Sequence, residues 1–167
     1  MPSSASSSDA SPSVAPTFRN TPVRKLGNVL IAPLARLGLA GKRTHILTTV
    51  GRKTGQRYST PVQLVFLDSQ RWLVAPYGER AWVKNARAAG TVELTRARRT
   101  ETARIEEVDA QTAAPVLREY LRKTPVTKPF FTVKRNAPLA EFAAEAPRHP
   151  VFRVRVERPE DRSTHRS

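Results

Sequence analysis

The sequence predicts a small antiparallel β-barrel of about six strands, α+β or mainly β in class, with peripheral helices. Three observations predict it. Short segments alternate apolar and polar side chains, the period of a strand with one buried face. Tight turns join several of these segments, too short for the crossover that parallel pairing needs. A few helical patterns are interposed, and such helices would plug the open ends of a barrel.

The first pattern is helical and covers residues 23–39, with Leu26, Leu30, Leu34 and Leu37 on one face and Arg24, Lys25 and Arg36 elsewhere. Pro33 removes an internal hydrogen bond and bends or splits this helix. It reads as a helix packed on the domain or as a basic amphipathic helix resting on an anionic membrane.

The period then changes. Residues 44–50 form a strand with Ile46, Thr48 and Val50 on one face. Gly51–Gly55 is a basic turn, and 60–67 a second strand carrying Val62, Leu64 and Phe66 on one face. Asp68-Ser69 turns the chain into a third strand, 71–75, with Trp72 and Val74 inward. A short helix over 79–89 ends at Gly90, a residue suited to a left-handed cap. Residues 91–95 and 99–108 form a hairpin about Arg96-Ala97-Arg98. Asp109 caps the next helix, whose apolar face is Ala113, Val116, Leu117, Tyr120 and Leu121, and Pro125 stops it. Residues 129–136 give no clear element, 138–146 give one or two helical turns, and 151–157 form the last strand.

The chain has 167 residues, room for one domain of 21–158 between a disordered tail over 1–20 and a polar tail over 159–167. Met1–Pro16 is rich in Ser, Ala and Pro and has neither basic residues nor an apolar core, so it does not read as a secretory signal. Lys and Arg total 29 against 14 Asp and Glu, a net charge of +15. Such a surplus attracts anions at a distance: nucleic acid, an anionic membrane face or a polyanionic small molecule. With no cysteine, disulfides, thiol nucleophiles and zinc-thiolate sites are excluded, and a cytoplasmic location is compatible. His45, His149 and His165 lack metal-ligand spacing, so no metal is expected. No apolar run approaches the ~20 residues that span a bilayer.

The segment Thr48-Thr49-Val50-Gly51-Arg52-Lys53-Thr54-Gly55 is the most informative. Two glycines bracket two cations and a hydroxyl directly after a strand. Glycines let backbone N–H groups converge on one anion. Arg52 can grip a phosphate with two parallel bonds, and Lys53 acts as a point charge. The order of residues and the absence of a following helix separate this loop from a Walker loop. The bland alternative is an exposed hairpin turn with solvated charges.

Gly51-Arg52-Lys53-Thr54-Gly55-Gln56, followed by Thr60-Pro61-Val62, resembles the signature of the deazaflavin-dependent nitroreductase family. Ala75-Pro76-Tyr77-Gly78, then Trp82, Asn85, Ala86, Ala88 and Ala89 before Val92, resembles a second block of that family. The resemblance covers residues 37–108 and continues more weakly to 152. It implies a split β-barrel like that of FMN-binding reductases. It also implies the deazaflavin coenzyme F-420, with FMN as the runner-up cofactor, and hydride transfer to a small-molecule acceptor such as a quinone, an enone or a nitro compound. The tail of this coenzyme carries a phosphate and several glutamates, which gives the surplus of cations a specific use.

By position, the resemblance implies that Arg52, Lys53, Thr54 and Gly55 hold the tail. Arg57, Tyr58, Pro61 and Val62 join the coenzyme site from the second strand. Ala75, Pro76, Tyr77 and Gly78 lie near the deazaflavin face, braced by Trp82 and Asn85. The chain departs from the family pattern at Arg57-Tyr58, where the cation is shifted by one residue and so to the opposite face of a strand.

Tyr77, on a strand-end loop, is the candidate pocket hydroxyl. Phe130 and Phe131 are candidates for the substrate pocket, forming with Phe142 an apolar lid with few hydrogen-bond donors. Tyr120 reads as core, and His149, before Pro150, as structural. No set of residues supports covalent hydrolysis. Two rival functions remain. One is a basic nucleic-acid-binding module, disfavoured because the arginine-rich hairpin carrying Arg96, Arg98, Arg99 and Arg104 has no interleaved aromatics. The other is a non-catalytic barrel that binds a cofactor or lipid. The expected state is a monomer or homodimer.

Overall fold

The computed structural model describes residues 43–156. The expected helix at 23–39 and the tails at 1–20 and 159–167 lie outside the described residues. Six strands are present among them: β1 Thr44–Val50, β2 Arg57–Leu67, β3 Gln70–Val74, β4 Thr91–Arg96, β5 Arg99–Glu107 and β6 Val151–Val156. All pair antiparallel, in the closed order β1-β2-β3-β6-β5-β4. Closure leaves no open sheet edge in this barrel. Three α-helices accompany the strands among the described residues: α1 Ala81–Ala89, α2 Ala110–Lys123 and α3 Leu139–Glu145.

Local chemistry accounts for the joints. Asp68 and Ser69 have φ of 51° and 59°, and Ala97 and Arg98 have φ of 49° and 63°. Both are therefore two-residue hairpin turns with two left-handed residues, the geometry that matches strand twist. Gly90 ends α1 at φ 67° and donates its N–H to the Ala86 carbonyl. The Asp109 side chain accepts the Thr112 N–H at 2.9 Å and so starts α2. Pro125 stops α2 and opens a 3-10 helix, Pro125–Phe130, where the sequence shows no regular pattern. α3 runs on into a second 3-10 turn, Ala146–Arg148.

β2 begins at Arg57, three residues before the expected start at Thr60. The Gly51 N–H donates to the Gln56 carbonyl at 2.7 Å and carries the β1–β2 ladder to the Val50–Arg57 pair. Arg57, Tyr58 and Ser59 are too polar and exposed for the alternation of apolar residues to register them.

Two cores are present among the described residues. The barrel interior contains Leu47, Leu64, Leu73, Val92, Leu94, Ala103, Phe152 and Val154. Val83 and Ala86 of α1 close one end of it, with Trp82 packed at the edge. The second core lies outside the barrel, where α2, α3 and the segment between them cover Val65, Trp72, Val74 and Val151. This corrects the inward assignment of Trp72 and Val74: Leu73 faces the interior, and its neighbours face the helices. Both faces of β3 are buried, so alternation alone cannot say which is inside. The helices also divide their work. α1 plugs an end, whereas α2 and α3 pack on the outer wall, and the expected apolar face of α2 is buried there throughout. Each fully buried side chain of leucine or phenylalanine size contributes roughly 1.5–3 kcal/mol.

Antiparallel pairing places the end of β1, the start of β2, the end of β3 and the start of β4 at one end of the barrel. That end carries the 51–56 loop, the 75–78 turn and α1.

Candidate functional site

The loop is built around its first glycine. The Gly55 N–H donates to the Gly51 carbonyl at 2.8 Å. The Gln56 N–H donates to Thr54 Oγ1 at 3.3 Å, and the same hydroxyl lies 3.3 Å from the Tyr58 hydroxyl. A Cβ on Gly51 would sit 2.6 Å from Thr54 Oγ1 and 2.7 Å from Tyr58 Cε2. Glycine is therefore required there for close approach. At Gly55 the requirement is conformational, because φ is +67° and a Cβ there would meet no atom within 4 Å.

Asn85 reaches the loop from α1. Its Oδ1 accepts the Arg52 backbone N–H at 3.3 Å and the Arg52 Nη1 at 3.2 Å. Asn85 is 5% exposed, so the contact fixes both the main chain and the direction of the guanidinium from a buried anchor. Lys53 is exposed beside it. The two sequence blocks, 33 residues apart at this contact, thus meet in one place.

Other expected site residues separate into two groups. The pairing register puts Tyr58 and Val62 on the interior side of β2, with Leu64, and Arg57 and Pro61 on the outer side. Arg57 forms a two-bond ion pair with Glu93 across that outer face, one bond at 3.0 Å. Glu93 gave no signal in the sequence, because its partner is set by register. The Arg57 charge is therefore already balanced. Trp82 packs against Phe152, ring centroids 6.0 Å apart, and serves as a wall at the plugged end.

On the far side of the same end, the Ala75 N–H donates to the Pro150 carbonyl at 2.9 Å, and Gly78 turns at φ +75° close to the Arg148 carbonyl. Tyr77 is partly exposed and meets Phe130 edge-on, centroids 4.7 Å apart. Phe131 is different. Expected in the substrate pocket, it is 8% exposed and stacks on His149 at 4.0 Å with 20° between planes. Phe142 is fully buried. Phe131 and Phe142 belong to the outer core, and Phe130 is half-buried and packs against the same cluster.

Sequence reasoning also missed Glu145. Its carboxylate, 4% exposed, accepts the Thr132 N–H at 3.0 Å, the Thr132 hydroxyl, and a bond from His149 Nε2 at 3.2 Å. The i,i+4 spacing of Glu145 and His149 was the available signal. Burial pushes the His149 imidazole below its ordinary 6.5, against the opposing pull of Glu145 and of the Ala75 and Pro76 carbonyls. Burial alone would raise the Glu145 carboxyl, but the Thr132 and His149 bonds outweigh it and hold the group below its ordinary range. Burial likewise raises the Tyr120 phenol, with a smaller contribution from Tyr77.

The fold and the site define a class of closed six-stranded antiparallel barrels with one end plugged by a helix and a glycine-bracketed basic loop at that end. Within it, the chain belongs to the F420H(2)-dependent quinone reductase family, whose profile matches residues 33–137. The family is described as one of F420H(2)-dependent quinone reductases. Among solved structures it is similar to the protein Atu2129 (unknown function) from Agrobacterium tumefaciens str. C58, at 18% identity and TM-score 0.54. That match covers 89% of this chain and 60% of the other, so the chain spans less than two thirds of that protein's length. It is also similar to an F420-H2 dependent reductase (FDR-A), at 21% identity and TM-score 0.48, covering 68% of this chain and 94% of the other. At these identities the likeness is one of fold. No curated protein matches the chain. No helix among the described residues is long and apolar enough to cross a membrane.

The residues present fit the coenzyme. The loop offers a guanidinium fixed by Asn85 and an exposed ammonium, held on a turn that Gly51 keeps tight against Thr54 and Tyr58, a donor set suited to phosphate and carboxylate oxygens.

Proposed function

We propose that Arg52 and Lys53 hold the phosphate and carboxylates of the coenzyme tail and that the Ala75–Gly78 turn faces the deazaflavin ring. The acceptor, a quinone, conjugated enone or nitro compound, lies beside Tyr77 and Phe130. The observation that carries this reading is the pair of hydrogen bonds from Arg52 to Asn85 Oδ1. A buried amide that fixes both the backbone and the guanidinium of one residue pre-organises that cation, which lowers the ordering cost of binding an anion.

When bound, the reduced deazaflavin supplies a hydride to the acceptor. The protein's own residues do the rest. Arg52 and Lys53 bind the tail and set its register. Thr54 spends its hydroxyl on Gln56 and Tyr58 and so shapes the loop. Trp82 and the apolar interior exclude water from one side. The Tyr77 phenol, partly exposed and held edge-on by Phe130, is the group placed to deliver a proton to the reduced acceptor. With one exposed aromatic and few donors, the pocket favours flat apolar acceptors over polar nitro compounds.

Fluorescence titration with F-420 tests the reading. Binding should weaken with added salt, because exposed charges are screened within about 8 Å at physiological ionic strength. Arg52→Ala and Lys53→Ala should each weaken it roughly ten- to a hundredfold, the scale of a charge-assisted hydrogen bond. Salt-independent binding, tighter binding of FMN, or two variants that bind normally would refute the tail clamp.

We also infer a folded unit of residues 21–158 in the cytoplasm, a setting that suits a cysteine-free composition. Its 23–39 segment makes reversible contact with anionic membranes, supported by the leucine face and flanking cations. Liposome flotation with and without residues 1–39 tests the last point; equal flotation of both forms removes this segment as the anchor.

A further inference from the structure

The 75–78 turn is backed by an unusual buried arrangement of polar groups. His149 is 3% and Glu145 4% exposed. Glu145 gathers Thr132, through its N–H and hydroxyl, and His149 Nε2 onto one carboxylate. Arg148 adds a longer contact at 3.8 Å. The imidazole lies flat on Phe131, and Phe131 adjoins Phe130, the ring that Tyr77 meets edge-on. The other side of the imidazole approaches the Ala75 and Pro76 carbonyls, while Ala75 is bonded to Pro150, the residue after the histidine. Nδ1 of this ring is buried and makes no hydrogen bond within normal range.

A charged carboxylate and a buried imidazole are costly choices for a spot that only needs filling. An apolar pair of the same shape would pack there without desolvating a charge. What the polar pair adds is direction. The Glu145 bond fixes the ring about its own axis, so one edge is presented to the 75–76 main chain and one face to Phe131.

We propose that His149, oriented by Glu145, is a positioning residue for the reaction: it sets the placement of the Ala75–Tyr77 turn and of Phe130, and thereby the alignment of acceptor with coenzyme. It touches neither. The inference rests on the reading that this turn faces the deazaflavin ring.

The test compares two substitutions that separate direction from packing. His149→Gln keeps a donor near the Nε2 position and can still bond Glu145, but loses the flat ring. His149→Phe keeps the ring on Phe131 and loses both nitrogens. If His149 positions the turn, H149F lowers kcat with a quinone or enone acceptor by about ten- to a hundredfold, the scale of a small misalignment of reacting groups. It also moves the absorbance band of bound oxidised F-420, while the coenzyme Kd stays within about twofold because Arg52 and Lys53 are untouched. H149Q retains most of the wild-type kcat and the wild-type band. A packing role gives the reverse order, with H149F normal and H149Q impaired, and overturns the proposal, as does an H149F protein with unchanged kcat and band. Should H149F fail to fold, Glu145→Gln carries the test. It keeps an acceptor for Thr132 and weakens the grip on the imidazole, so kcat should fall with Kd unchanged; an unchanged kcat overturns the proposal. Failure of the reading that the turn faces the ring shows separately: Gly78→Ala, which strains the turn itself at φ +75°, would then also leave kcat and the F-420 band unchanged.

Discussion

Asn85 Oδ1 accepts two hydrogen bonds from one residue, the backbone N–H and the guanidinium of Arg52, at 3.3 and 3.2 Å. One buried amide thereby fixes where a cation sits and where it points. Asn85→Leu should leave the barrel closed but release Arg52, and F-420 affinity should fall about tenfold, near 1.4 kcal/mol. Asn85→Asp keeps the acceptor and adds a charge that competes with the coenzyme for Arg52, so it too should weaken binding. Titration of both variants checks this; an N85L protein with wild-type affinity would show that Arg52 needs no anchor.

Gly51 and Gly55 are required for different reasons, and their alanine variants should differ. At Gly51 the new Cβ meets Thr54 Oγ1 at 2.6 Å and the Tyr58 ring at 2.7 Å, so the loop must rearrange. At Gly55 the space is open, and the cost is the left-handed backbone alone, about 1–2 kcal/mol. G51A should therefore lose more coenzyme affinity than G55A even where their melting temperatures fall by similar amounts. The opposite order of affinities would show that the tight packing of Gly51 on Thr54 and Tyr58 is not what shapes the loop for the coenzyme.

Phe130 and Phe131 are neighbours in sequence with separate duties. Phe131 lies between His149 and Tyr120 in the outer core. Phe131→Ala should cost about 3–5 kcal/mol of stability. Phe130→Ala should cost less and raise the KM for an apolar acceptor, with coenzyme Kd unchanged. Denaturant unfolding beside steady-state kinetics separates the two, and a stable F131A protein with a raised KM would return Phe131 to the pocket.

Acid should destabilise the fold in two stages. Burial lowers the imidazoles of both His45 and His149 below their ordinary 6.5, so the unfolded chain binds protons that the folded chain refuses. Their contribution is complete above pH 6.5 and is lost as the pH falls through the interval between 6.5 and the lower folded values. Glu145, held below its ordinary 4.5, gives up its contribution at lower pH still. Melting temperature followed from about pH 8 to about pH 4, for the wild type and for His149→Gln, should show a shallower first decline in the variant. A first stage of equal size would assign it to His45.

Much of this molecule could be read locally. The six strands, the places of both hairpin turns, the Asp109 cap and the buried face of α2 all follow from patterns within a few residues, because hydrophobic period and capping chemistry are local properties; the left-handed backbone at Ala97 and Arg98 does not. The basic loop was legible for the same reason. So was its likeness to the family, since a glycine-bracketed pair of cations is a contiguous feature.

The polar start of β2 was not legible, because Arg57, Tyr58 and Ser59 pair through a ladder whose sequence bears no apolar signal. The direction of Trp72 was hidden as well, since helices bury the outer wall of the barrel as thoroughly as its interior.

Reading along the chain was enough to find the strands, the turns and a loop chemically fit for an anion. The partners that complete them came from the folded chain: Asn85 for Arg52, Glu93 for Arg57, and Glu145 and Phe131 for His149. The difference lies in the reach of the interactions. Strand period and turn geometry are set by neighbours along the chain. The pairing of side chains from distant strands and helices is set by barrel closure and register, and a shift of one residue would turn each strand-borne group to the opposite face.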